Sequence, residues 1–147
     1  MIGIIIVTYN SASYLPRLLT SIYRQTEQGF KILIVDNNSA DICWPDYDRK
    51  INVLHLEQNR GYAAAGNIGI DYFSKDPEIS EFFILNQDVY LDRECLAKLL
   101  KTLNKTGAGL VQPKILLFDE VHINTFGNSL HYLGFSFCAE FGEKDYI

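Results

Sequence analysis

The chain has 147 residues, a formal net charge of −5 and a pI near 5.1; 48% of its residues are hydrophobic, 21% are charged and 4 are proline. That length supports one ordinary core, so a single domain over residues 1–147 is expected, and the composition excludes a disordered or collagen-like chain. No stripe of Lys or Arg offers itself to a phosphate backbone, so no nucleic-acid partner is expected. Cys43, Cys95 and Cys138 are odd in number, widely spaced and free of a CxxC pair, which argues against a disulfide framework or a zinc site and for a reducing cytoplasm.

The apolar run at residues 2–7 is too short to span a bilayer and lacks the flanks of a signal peptide, so no transmembrane segment is expected. Its continuous β-branched character predicts a strand covered on both faces, as does that of residues 31–35. Between them Leu15, Leu18, Leu19 and Ile22 recur at helical spacing. They predict an amphipathic helix of about three turns, with Ser11 or Ser13 as N-cap and Pro16 in the first turn. Residues 52–56 are a weaker strand. A second helix is expected after Gly61, burying Ala65, Ile68, Gly69 and Tyr72. Residues 81–85 form the next strand, and a third helix, capped by Asp92, carries Leu96, Leu99, Leu100 and Leu103. Leu110 and Val111 extend the strand series. Beyond Pro113 the segment 126–130 reads as a turn between two short strands, and the aromatic tail shows no helix. Strands alternating with single helices give βαβ units, hence an α/β protein with a mostly parallel central sheet flanked by helices.

Ligands of such sheets bind outside the carboxyl ends of the strands. Every exit is polar here: Thr8-Tyr9-Asn10, Asp36-Asn37-Asn38-Ser39 and Asn86-Gln87-Asp88. Isolated polar triplets suit turns for local reasons; three at one sheet edge point to a site. The turn after Val7 has no glycine, so a dinucleotide fingerprint is absent, and Gly61 and Gly66 lack the Lys-Ser/Thr of a P-loop. There is no G-x-S-x-G elbow, and His55, His122 and His131 adjoin no candidate nucleophile and read as surface or strand residues.

The order Val7-Thr8-Tyr9-Asn10, Val35-Asp36-Asn37-Asn38-Ser39, Asn59-Arg60-Gly61 through Gly69, and Leu85-Asn86-Gln87-Asp88-Val89 resembles the inverting family-2 glycosyltransferases of the GT-A fold. The resemblance is closest to the bacterial rhamnosyltransferase-like subgroup; it covers residues 2 to about 117, and more loosely Thr125-Phe126-Gly127. It implies transfer of a hexose or deoxyhexose from a UDP- or dTDP-sugar to a glycan or lipid-linked glycan acceptor. It also implies a Mg²⁺ or Mn²⁺ ion that offsets charge on the departing diphosphate. Asp88 takes the last position of the family's D-x-D motif and would ligate the metal, with uncharged Asn86 in the first position; Asn86 and Gln87 join the donor contacts. Thr8 and Tyr9 would wall the base pocket, Tyr9 offering its ring for stacking. Asp36 would accept N3–H of uracil or thymine, a bond that cytosine cannot donate; the alternative is a cap on the following loop. Arg60 would approach the diphosphate together with the helix N-terminus, or be a solvated cation, and Asn67 would contact the donor or satisfy backbone groups.

The family's general base belongs to a Glu-Asp motif beyond residue 147, and Glu140, Glu143 and Asp145 lack its flanking pattern. The chain therefore reads as the donor-binding part of a longer enzyme, its acceptor half truncated, and inactive alone. Two other readings stay open. One is a non-catalytic nucleotide-sugar-binding or assembly module. The more distant is a nucleotidyltransferase, which would need a Gly-rich basic loop after the first strand. Phe126, Leu130, Tyr132, Leu133, Phe135, Phe137 and Phe141 are expected to leave an apolar surface that a homodimer covers. Localisation is expected to be cytoplasmic, with or without peripheral attachment at the inner face of the membrane.

Overall fold

The computed structural model describes residues 1–41, 51–130, 132–133 and 135–146. The order of elements is β1 (Ile2–Thr8), α1 (Leu15–Tyr23), β2 (Phe30–Asp36), β3 (Ile51–His55), α2 (Tyr62–Phe73), β4 (Glu81–Asn86) and α3 (Cys95–Thr106). Four short strands follow: β5 (Ile115–Leu116), β6 (Ile123–Thr125), β7 (Asn128–Leu130) and β8 (Ser136–Cys138). The chain forms two compact units, Met1–Leu96 and Ala97–Ile147, with the division inside the first turn of α3.

The first unit is a parallel sheet in the order β3-β2-β1-β4. Its two central strands are buried almost end to end, because neither face of a doubly covered strand meets water. Each fully buried Ile, Leu or Val contributes roughly 1.5–3 kcal/mol, so Ile4, Ile5, Ile6, Leu33, Ile34 and Val35 form the backbone of the core. The outer strands are only partly covered, and β4 leaves Phe82 and Ile84 exposed.

α2 packs on β1 and β2, where Ala65 and Phe73 join Ile5, Val7, Leu33 and Val35. The approach depends on absent side chains: a Cβ at Gly69 would lie 2.5 Å from Cγ2 of Ile5, and one at Gly3 would lie 2.7 Å from Cδ2 of Phe73. The buried face of α2 is Ala65, Gly66, Gly69 and Phe73: Ala65 and Gly69 are buried as expected, and Gly66 and Phe73 stand where Ile68 and Tyr72 were expected. Tyr72 is exposed and Ile68 half-buried, because the face seated against the sheet runs through Ala65, the glycine backbone at Gly66 and Gly69, and Phe73.

α1 buries Leu15, Leu18, Leu19 and Ile22 as its periodicity requires, with Pro16 in the first turn. Neither Ser11 nor Ser13 caps it. The helix starts one turn later, after Tyr14, and the Ser11 carbonyl accepts the N–H groups of Tyr14 (3.0 Å) and Leu15 (3.2 Å). Asp92 opens α3: its carbonyl accepts the Cys95 N–H at 3.0 Å and its carboxylate the Glu94 N–H at 3.1 Å.

In the second unit Leu110 and Val111 form no strand, and Leu110 is 84% exposed; glycines at 107 and 109 and Pro113 leave too little chain to enter a ladder. β5 pairs with β6 and β7 with β8, both antiparallel, so the turn at Phe126-Gly127 joins two separate ribbons. Thr125 holds that turn, donating to the Gly127 carbonyl at 2.6 Å and accepting its N–H at 3.1 Å, while Gly127 adopts φ +104°. Phe126, Leu130, Tyr132, Leu133, Phe135, Phe137 and Phe141 are all exposed. Cys95 and Cys138 are free thiols; Cys43 and His131 lie outside the described residues. Among the described residues no helix is long and apolar enough to cross a membrane.

Candidate functional site

β1 is flanked by β2 on one side and β4 on the other, so the strand order reverses at β1. The crevice outside the carboxyl ends at such a point is where open parallel sheets take ligands. Register aligns the ends: Thr8 opposite Asp36, Val7 opposite Asn86, and Asp36 opposite His55. Local sequence explains each exit. Once β1 and β2 leave the core, Asn10 (φ 50°) and Asn38 (φ 68°) turn the chain in left-handed conformations that Asn tolerates.

Side-chain amides join these loops. Gln87 accepts the Tyr9 N–H at 2.6 Å and donates to the Tyr9 carbonyl at 3.2 Å, linking the β1 and β4 exits. Asn37 donates to Asn59 Oδ1 at 2.9 Å and accepts the Arg60 N–H at 2.8 Å, while Asn59 also accepts the Gly61 N–H at 2.9 Å. This fixes the entry to α2, whose N-cap Gly61 has φ +79°. Between β1 and β2, the Asn10 N–H donates to Ser39 Oγ at 2.9 Å, and Asn10 Oδ1 accepts the Ala40 N–H at 2.9 Å.

Asp36 sits beneath this surface with its side chain 2% exposed. Its carboxylate accepts the Ser39 hydroxyl and, at 3.3 Å, the Ser39 N–H. Thr8 Oγ1 lies 3.4 Å from one oxygen and His55 Nδ1 3.3 Å from the other. The loop-capping role is therefore present, and the carboxylate meets a base only if Ser39 gives way.

Thr8 is buried and Tyr9 is 47% exposed, its ring free for a planar partner. Arg60 is exposed, with its backbone pinned by Asn37; among the described residues its guanidinium makes no hydrogen bond or ion pair. Asn67 is exposed on α2 without a side-chain partner among the described residues. At the entry of α2 partial burial pushes the Tyr62 phenol above its usual range. Asn86 and Asp88 are exposed and also lack side-chain partners among the described residues. Among these residues no three His, Cys, Asp or Glu side chains are grouped to hold a metal. A single unpaired carboxylate still suits Mg²⁺, which keeps several waters and takes other ligands from phosphates. His122 is paired with Asp119 at 2.6 Å in the second unit.

Sequence reasoning placed the exits but missed their scaffold: Asn37, Asn59, Ser39 and His55 position the others. Asn37 and Asn59 lie inside the segments that drew attention, yet nothing local reveals that they bond each other across 22 positions.

The parallel sheet flanked by helices defines an α/β protein of the GT-A type, with a cluster of polar residues at the strand-order reversal. The chain belongs to the family described as glycosyl transferase family 2, whose model matches residues 3–142. It is 29% identical to glycosyltransferase GlyG of Streptococcus pneumoniae over 95% of this chain and 46% of that protein. It is 32% identical to the teichoic acid poly(glycerol phosphate) polymerase of Staphylococcus epidermidis over 75% of this chain and 16% of that one. The chain thus spans less than half the length of these relatives. Crystal structures of residues 1–349 of S. aureus TarS, including complexes with UDP and with UDP-GlcNAc, superpose with a TM-score of 0.56. The UDP complex is 21% identical and covers 80% of this chain and 42% of that one.

Proposed function

We propose that this chain is the donor-binding part of an inverting glycosyltransferase that takes a UDP- or dTDP-linked hexose or deoxyhexose. The observation that carries this reading is the Gln87–Tyr9 link, which joins the residue bearing an exposed aromatic ring to the loop bearing the exposed Asp88 carboxylate, unpaired among the described residues, at the strand-order reversal. Family membership and a fold shared with TarS, itself solved with UDP and UDP-GlcNAc, support it.

In this reading Tyr9 stacks on the pyrimidine and Thr8 lines the pocket floor. Asp36 accepts the base N3–H in exchange for the Ser39 hydroxyl, a swap that leaves its number of hydrogen bonds unchanged. Arg60 and the start of α2 face the diphosphate, with Asn67, Asn86 and Gln87 completing the polar wall. Asp88 would hold Mg²⁺ or Mn²⁺, which supplies positive charge against the leaving diphosphate. At this edge Asp36 is buried and Asp88 is given to the metal, so no carboxylate of the cluster is assigned as base. We accordingly expect the 147-residue chain to bind donor without transferring sugar to a glycan or lipid-linked glycan acceptor. The two compact units are taken as parts of one GT-A domain, and the exposed aromatics of the second as a self-association surface. Placement in the cytoplasm or at the inner membrane face belongs to the same proposal.

Calorimetry with UDP, dTDP, CDP and GDP in the presence of Mn²⁺ tests the reading. UDP and dTDP are expected to bind in preference to the other two, and an equal affinity for CDP would remove the role given to Asp36.

A further inference from the structure

The first unit carries a second concavity that shares no residue with the carboxyl-edge cluster. It is a half-open concavity of about 730 Å³ between α1 and the segment leading from β4 to α3, lined by Arg17, Thr20, Ser21, Arg24 and residues 90–93. Three of the five arginines in the chain, Arg17, Arg24 and Arg93, line it, against one lining carboxylate, Asp92. In a protein of net charge −5 this is a local reversal of sign.

The walls are fixed before any ligand arrives. Gln25, 3% exposed, donates to the carbonyls of Ser21 (3.2 Å) and Asp92 (2.7 Å) and accepts the Leu96 N–H at 3.0 Å. Ser21 Oγ accepts the Leu91 N–H at 3.0 Å, and the Thr26 N–H donates to the Arg93 carbonyl at 3.0 Å. These bonds pin the 91–96 segment to α1, so the Arg93 backbone is held relative to Arg17 and Arg24. The Arg17 guanidinium is stacked 3.8 Å over the Tyr90 ring, which orients its remaining edge and lowers the entropy lost on binding. Among the described residues the guanidinium groups of Arg24 and Arg93 have no hydrogen bond or ion pair. Planar forks without acceptors, set in a preformed cleft, match the oxygens of a phosphate group, to which Arg bonds bidentately.

We propose that this cleft binds a phosphate ester, with Arg24 and Arg93 as the primary contacts and Arg17 as a stacked, oriented third. The site is separate from donor binding and does not depend on it.

The test follows the arginine side-chain Nε–H resonances of the full chain by NMR in two arms. One arm titrates inorganic phosphate and then sn-glycerol 3-phosphate; the other titrates phosphatidylcholine vesicles with and without phosphatidylglycerol. Saturable shifts of Arg24 and Arg93 with the soluble phosphates support a soluble ester. Shifts only with phosphatidylglycerol vesicles support the same recognition on a lipid headgroup. In either case Arg24→Gln combined with Arg93→Gln is expected to weaken binding at least on the order of tenfold per guanidinium removed. UDP binding read from the Tyr9 and Asp88 amides at the carboxyl edge, and the circular dichroism spectrum, should not change in that variant. No response in either arm, or equal affinity in the folded double variant, would overturn the assignment.

Discussion

Gln87 holds the peptide of Tyr9 at both ends, accepting its N–H at 2.6 Å and donating to its carbonyl at 3.2 Å. The pair extends the hydrogen bonding between β1 and β4 past the last strand residues, so Tyr9 and the Gln87-Asp88 loop are positioned as one piece. Replacing Gln87 by Leu removes both bonds while keeping bulk. We expect a stability loss of roughly 1–3 kcal/mol in urea unfolding, faster hydrogen exchange at the Tyr9 amide, and weaker UDP binding. Unchanged exchange at Tyr9 would show that the link does not hold the loop.

Gly69 tests how α2 is seated. A Cβ there would fall 2.5 Å from Ile5, so Gly69→Ala overpacks the core and is expected to destabilise by about 1–3 kcal/mol despite the better helix propensity of Ala. A Gly69→Ala chain as stable as the parent in urea would contradict the close packing of α2 on β1.

Asp88→Asn is expected to leave the melting temperature within a few degrees of the parent, since the exposed carboxylate contributes charge and no core packing. Any strengthening of UDP binding by Mg²⁺ or Mn²⁺ should disappear. Metal-dependent binding that survives the substitution would remove Asp88 as the ligand.

In the second unit Asp119 accepts the backbone N–H groups of His122 and Val121, each at 3.0 Å, and lies beside the His122 ring. These bonds hold its carboxyl at about 2, below the ordinary 3.8. Because the folded value is depressed, its contribution to loop stability is present above the ordinary value and is lost as pH falls from about 3.8 towards 2. A ¹³C carboxyl titration with a midpoint near 2 agrees with this, and one at 3.8 or above does not.

The sheet was legible because β1 and β2 are buried on both faces, leaving uninterrupted apolar runs whose polar ends mark the crevice. α1 was equally clear from four large apolar residues at helical spacing. On α2, Ala65 and Gly69 were read correctly as buried, but Tyr72 was taken for its neighbour Phe73, because adjacent aromatic residues carry the same hydrophobic signal, and Gly66 carries none. At the site, the strand exits announced themselves by composition. The amide links did not, since Gln87 and Tyr9 stand 78 positions apart and meet only after the sheet has formed. Asp36 was found by position, but its burial under Ser39 depends on how the loop folds back.

The most direct test of the account is amide chemical-shift mapping of the 147-residue chain titrated with UDP and Mg²⁺. Saturable shifts at Tyr9, Ser39, Arg60 and Asp88, with those of Ser39 lost when CDP replaces UDP, are the predicted result. An absence of saturable shifts, or shifts confined to residues away from the β1, β2 and β4 exits, would contradict a nucleotide-sugar site at this edge of the sheet.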